Sequence, residues 1–190
     1  MGRYSAIFED FHRAIHNNLF KFMELMNFRP TKQQEEIAVS IQRGAPRVCA
    51  KSGLGTGKTT FLGIAALWRT MRNPDAWTVA TGPTLRQSKN FLDELNKSIE
   101  RAHPIIRMVS EITSTKARFA DRQKWGLDVF SASNPENAAG VHNEFLTVVI
   151  DEGSGVERGI FEKLEGTLTN RGSLMIVAGN PTQRTGAFFD

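Results

Sequence analysis

The stretch from Arg47 to Trp68 constrains this chain more than any other. Arg47-Val48-Cys49-Ala50 reads as a strand. Ser52-Gly53-Leu54-Gly55-Thr56-Gly57-Lys58-Thr59 follows it, and Thr60-Phe61-Leu62-Gly63-Ile64-Ala65-Ala66-Leu67-Trp68 then has helical character. A strand, a glycine-rich turn and a helix start, with Lys-Thr closing the turn, make a phosphate cradle. Glycine lets the backbone bend until its N–H groups point at phosphate oxygens. The helix N-terminus adds its dipole. Lys58 is placed to reach β- and γ-phosphates, and the Thr59 hydroxyl to hold Mg²⁺. The pattern G-x-x-x-x-G-K-[ST] is met except at its first position, where Ser52 stands; Gly53, Gly55 and Gly57 remain.

A second motif answers the first. Leu146-Thr147-Val148-Val149-Ile150 is a β-branched run that reads as a buried strand, and it ends in Asp151-Glu152. Two carboxylates at the end of an apolar strand are costly without a partner. Beside a phosphate loop they have one: Asp151 binds Mg²⁺ directly or through water, and Glu152 polarises the attacking water. The pair of motifs predicts a Mg²⁺-dependent ATP hydrolase, with ATP and Mg²⁺ as its small-molecule partners.

Composition sets the frame around them. The 190 residues are 40% hydrophobic, enough for one α/β domain with a core. A net charge of +4 permits nucleic-acid contact without requiring it. Cys49 is the single cysteine, so no internal disulfide forms, and its strand position predicts a buried, small apolar role. That suits a reducing cytoplasm. No apolar stretch reaches transmembrane length, so no membrane role is expected.

Along the chain, Phe8, Phe11, Ile15, Leu19, Phe22 and Met26 recur at helical steps and predict one amphipathic helix ahead of the core. His12 and His16 lie at i,i+4 on it, a spacing that suits a metal, but with no third ligand nearby they read as surface residues. Pro30 breaks the pattern. Thr31 then caps a helix over 32–42, with Gln34 at the capping-box position. Strands are expected at 76–80, 105–109, 127–131 and 173–178, and helices at 85–102 and 159–168. Lys116, Arg118, Arg122 and Lys124 around Phe119 form a basic stretch that reads as a solvated hairpin or a DNA-phosphate contact. Alternating strands and helices predict a mostly parallel, doubly wound sheet flanked by helices. A strand–helix unit lies between the Lys58 and Asp151 strands. An additional strand between them is the arrangement of P-loop ATPases with a catalytic glutamate.

Together the motifs resemble the N-terminal ATPase domain of the large terminase subunit, the motor that packages DNA into tailed-phage procapsids. The matching residues are Lys51 to Thr60, Asn134 to His142, Ile150 to Val156, Gly179-Asn180-Pro181-Thr182 and Gly186 to Asp190. They cover about residues 28–190, which leaves 1–27 as an N-terminal helical extension. The resemblance implies that Ser52, Gly53, Gly55, Thr56, Gly57, Lys58, Thr59 and Thr60 hold nucleotide. It also implies that Gln34, with Gln33 as its competitor, reads adenine through an amide that both donates and accepts. Asn180, at a strand's carboxyl end, would sense the γ-phosphate and join Lys58 and Glu152 in catalysis. The implied partners are double-stranded DNA, a portal protein and a small terminase subunit. The implied assembly is a homo-oligomeric ring on the procapsid, weakly associated or monomeric when isolated, in the host-cell cytoplasm.

The sequence departs from that family in two respects. Leu54 stands where some members carry an arginine inside the phosphate loop, and the loop at Ala139-Gly140-Val141-His142 lacks the arginine others carry. The transition-state cation is therefore open among Lys51, His142, Arg171 and Arg184. The family's C-terminal nuclease domain is absent from these 190 residues, so the chain reads as an ATPase domain of a longer protein. Two rival readings stand beside it. A helicase-type DNA translocase suits Pro30-Thr31 with Gln34 and Pro83-Thr84 with Gln87, but normally needs two such domains. The other is a nucleotide-gated assembly module with negligible hydrolysis.

Overall fold

The computed structural model describes residues 2–53, 55–108, 110–119, 122–132, 143–181 and 187–188, the side chains of 2–7 and 122–123 excepted. Helices α1 (Gly2–Ile15), α2 (Leu19–Leu25) and α3 (Lys32–Gln42) precede strand β1 (Arg47–Lys51). Next come α4 (Lys58–Arg72), β2 (Trp77–Gly82), α5 (Leu85–Glu100), α6 (Pro104–Met108), β3 (Ser110–Ile112), β4 (Lys116–Phe119) and β5 (Arg122–Ser131). Strand β6 (Leu146–Ile150), a short 3₁₀ turn at Gly153–Gly155, helix α7 (Arg158–Gly166) and strand β7 (Leu174–Gly179) complete the order. Among the described residues the strands form one sheet in the order β1-β7-β6-β2-β5-β4-β3. Pairing is parallel from β1 to β5 and antiparallel through β4 and β3. In the sheet β7 separates β1 from β6, while β2, which lies between them in sequence, pairs on the far side of β6.

Helix α4 explains how the sheet is covered. Phe61 through Trp68 is buried without interruption, the mark of a helix enclosed on all sides. One side of α4 packs on the sheet beside α5, and the other meets α1 and α2. Ile15, Leu19 and Phe22 are fully buried and share one hydrophobic cluster with α4, α5 and that face of the sheet. Helix α7 covers the opposite face, where Ile160, Phe161 and Leu164 pack on Val148, Ile150 and Val177. The Trp68 indole, fully buried, donates to the Ile15 carbonyl at 2.7 Å and fastens α1 to α4. Trp68→Ala should therefore cost about 3–5 kcal/mol, the range for deleting a buried aromatic side chain. Denaturant unfolding checks this, and an unchanged midpoint would contradict it.

Several expectations need correction. The N-terminal periodicity is carried by two helices, because the chain turns between Ile15 and Leu19; Asn18 caps α2 by accepting from the Lys21 N–H at 2.9 Å. Residues 105–109 were expected as a strand, but Pro104 starts helix α6, in which Ile106 alone is buried. Proline's fixed φ suits a helix's first turn, and this outweighs the β-preference of the two isoleucines. Cys49 is exposed, not buried. Strand β1 lies at the sheet edge, and its alternation sends Val48 and Ala50 to the core cluster while Arg47, Cys49 and Lys51 face out. Partial burial nonetheless pushes the Cys49 thiol pKa up, with Lys51 pulling it the other way.

The basic stretch is a hairpin. β4 pairs with β3 and β5, and Phe119 and Ala117 are buried. Arg118 is committed to structure: it pairs with Asp128 at 2.8 Å and stacks on the Trp77 ring at 4.5 Å. Lys116 and Lys124 are exposed.

Candidate active site

Parallel strands bring their carboxyl ends to one edge, where an open α/β sheet leaves a crevice. Here β1, β7, β6 and β2 end at Lys51, Gly179, Ile150 and Gly82. The registers Lys51↔Gly179 and Thr81↔Ile150 keep those ends level. The phosphate loop leaves β1 and is tied at once to β7 by the Ser52 N–H, which donates to the Gly179 carbonyl at 3.1 Å. Gly55 and Gly57 have φ of 72° and 71°, the left-handed region that glycine enters without strain. The second of these is the N-cap of α4, so the loop delivers the chain straight into the helix.

The loop is also held from within. The Ser52 and Thr56 hydroxyls are 3.1 Å apart, and Thr56 Oγ1 donates to the Gly53 carbonyl at 3.3 Å. Lys58 Nζ folds back to donate to the carbonyls of Ser52 (3.2 Å) and Gly53. Gln34 fixes the loop from outside. Its Nε2 donates to the Thr56 carbonyl at 3.1 Å, while its Oε1 accepts from the Thr31 N–H at 2.9 Å in the expected capping box. Gln34 is buried, whereas Gln33 is exposed on a hollow of about 490 Å³ that both residues line with Cys49, Lys51 and Phe61.

Opposite the loop stand the two carboxylates. Asp151 is 9% exposed, accepts from the Thr59 hydroxyl at 2.7 Å through Oδ2, and accepts from the Glu152 N–H at 2.9 Å through Oδ1. Glu152 is exposed and has φ of 53°, an uncommon conformation for a residue with a Cβ. Its carboxylate accepts from Gln87 Nε2 on α5. Gly55 to Thr60, Asp151, Glu152, Ser154, Asn180 and Glu94 line one cleft of about 510 Å³. A smaller hollow of about 280 Å³ adjoins it, bounded by Thr59, Gln87, Asn90, Asp93, Glu94 and Lys97.

The structure thus brings Lys58, Thr59, Asp151, Glu152 and Asn180 to one cleft. Thr59 and Asp151 offer two touching oxygen ligands, the donor set that Mg²⁺ takes when phosphates and water supply the rest. Leu54, the segment Asn134 to His142 and the segment Thr182 to Gly186 with Arg184 lie outside the described residues, as do Phe189 and Asp190. Arg171 sits just before β7 begins, at the opposite edge of the sheet, so it cannot serve the cleft of its own chain. Lys51 Nζ stands 5.9 Å over the Phe188 ring. His12 Nε2 and His16 Nδ1 both donate to the Arg72 carbonyl, at 2.6 and 3.1 Å, and so cap α4 far along the chain from the cleft.

Sequence reasoning gave Gln87 no contact with Glu152 and overlooked Glu94 and Ser154. Gln87 carried a usable signal, being three residues after the helix cap Thr84. Ser154 lay within the Ile150–Val156 stretch already singled out, whereas Glu94 carried no signal that separates it from ordinary surface residues.

No family model matches the chain. The probable terminase large subunit of Enterobacteria phage P7 is 29% identical over 171 residues, 85% of this chain. This chain is similar in sequence to that phage terminase subunit. It spans 34% of the length of that terminase relative. The ATPase domain of the Thermus phage P74-26 large terminase superposes with a TM-score of 0.70 at 19% identity, covering 89% of this chain and 71% of that one. The UvsW helicase of bacteriophage T4 gives a TM-score of 0.57 at 12% identity, over 85% of this chain and 56% of that one. Terminase and helicase alike place the chain in the P-loop NTPase fold. Among the described residues no helix is long and apolar enough to cross a membrane.

Proposed function

We propose that this domain is the ATP-hydrolysing motor of a viral DNA-packaging terminase large subunit. The observation that carries it is the Thr59–Asp151 contact. It couples the phosphate loop at the start of α4 to the carboxylate pair at the end of β6, across an intervening β7. Loop N–H groups and Lys58 bind the phosphates. Gln33 or Gln34, on the hollow beside β1, reads adenine. Thr59 and Asp151 hold Mg²⁺, which when bound neutralises charge on the β- and γ-phosphates. Glu152 takes the proton of the attacking water. Asn180, at the end of β7, faces the same cleft and senses the γ-phosphate.

The transition-state cation comes from a neighbouring subunit in a ring, where a basic side chain such as Arg171, His142 or Arg184 meets the cleft of the next copy. Lys51 is the candidate within the chain. Such a cation contributes about 10³–10⁵ in rate. The domain acts with double-stranded DNA, portal protein and small terminase subunit in the host-cell cytoplasm.

Steady-state ATP hydrolysis, measured with and without Mg²⁺ over a range of protein concentrations, tests this. Turnover should require Mg²⁺ and rise per subunit as copies associate. Full-rate hydrolysis by a protein shown to remain monomeric would remove the neighbour's cation and favour Lys51. Absence of turnover in every state would favour a nucleotide-gated assembly module.

A further inference from the structure

We infer that Gln87 is a positioning residue that holds Glu152 in its working orientation; the inference rests on the hydrolase reading above. An exposed glutamate side chain is ordinarily free to sample several rotamers, and a general base must be held within hydrogen-bond reach of its water. Among the described residues no cation pairs with Glu152: the nearby Lys97 ammonium is paired with Glu94 at 2.6 Å. Its carboxylate is instead met by the Gln87 amide.

That amide is itself oriented. Thr84 Oγ1 donates to Gln87 Oε1 at 2.7 Å, which leaves Nε2 as the end that faces Glu152. The same hydroxyl accepts from the Gln87 N–H at 3.3 Å as the N-cap of α5. The α5 start is in turn anchored to the sheet: Ser88 Oγ accepts from the Gly82 N–H at 3.0 Å and donates to the Thr84 carbonyl at 3.2 Å. Strand β2 then meets β6 through the Asp151 N–H, which donates to the Thr81 carbonyl at 2.9 Å. A closed circuit of hydrogen bonds therefore runs from β2 through α5 to Glu152 and back. Chemically, a neutral amide suits the task. It fixes one carboxylate oxygen without forming an ion pair, which would stabilise the charged carboxylate and make it a poorer base. The other oxygen is left for water.

Single-turnover hydrolysis with protein in excess tests the inference. Gln87→Met keeps the side chain's length and removes its hydrogen bonding. It should lower the hydrolysis rate roughly 10- to 100-fold, the scale on which small misplacement of a reacting group acts. The ATP dissociation constant and the unfolding midpoint should not change. Thr84→Ser should keep the parent rate, while Thr84→Val should lose rate as Gln87→Met does. In a Glu152→Gln background Gln87→Met should have no further effect, because the two act as one unit. A purely structural Gln87 would instead lower the midpoint and slow both backgrounds equally. Parent-rate hydrolysis by a folded Gln87→Met protein, with Glu152→Gln inactive, overturns this inference alone. Unimpaired hydrolysis by Glu152→Gln removes Glu152 as the base and this inference with it, whereas no hydrolysis by the parent overturns the hydrolase reading.

Discussion

Lys58→Ala is expected to abolish ATP turnover and to weaken ATP binding by about 10³-fold while leaving the fold intact. A unit charge about 4 Å from a phosphate charge is worth roughly 4 kcal/mol at an effective dielectric constant near 20, and 1.4 kcal/mol is tenfold in affinity. Among the described residues the side chain bonds the Ser52 and Gly53 carbonyls at the loop edge, so its removal opens no core cavity. Binding of a fluorescent ATP analogue, read together with circular dichroism, checks both halves. Parent-like affinity in the folded variant would take the nucleotide site away from this loop.

Glu152→Gln should separate binding from chemistry. The amide is isosteric with the carboxylate and keeps a hydrogen-bonding partner for Gln87, but it cannot take a proton from water. Hydrolysis should fall by roughly 10²–10⁴-fold, the contribution of a positioned general base, with ATP affinity retained. Asp151 would behave otherwise, because it sits almost out of solvent on the Thr59 hydroxyl and its loss would be felt in Mg²⁺-dependent binding. Rapid-quench measurement of phosphate release from prebound ATP reads the chemical step directly. A parent rate in Glu152→Gln would mean that another group activates the water.

Much of this site was legible because its information is local. The phosphate loop, the Asp151-Glu152 strand end and the Thr31–Gln34 capping box each lie within a few residues, where spacing alone dictates geometry. The alternation of strands and helices likewise pointed to the parallel, doubly wound sheet. Where the reading failed, two local signals competed or tertiary contact decided. Ile105-Ile106 favour a strand, but Pro104 ahead of them starts a helix. Cys49 looked buried because a small thiol on a strand usually is, and position in a sheet is not written in the strand. The N-terminal periodicity survived the break at His16–Asn18, since both helices face the same core. Gln87 is the instructive miss. Its distance to Glu152 along the chain is 65 residues, and only the pairing of β2 with β6 brings them together.

The place of β7 has a consequence for biosynthesis. This strand, near residue 179, fits between β1, which ends at Lys51, and β6, which ends at Ile150. A nascent chain that has emerged only as far as α7 holds the phosphate loop and both carboxylates, yet nothing joins the facing edges of the two strands that carry them. Backbone groups on those edges must wait for a partner that emerges later, and pairings this distant in sequence form slowly. Competence for nucleotide is thus acquired only after β7 has emerged, in the step that inserts this strand. Until then two unpaired edges are open to chaperones and to other copies of the chain.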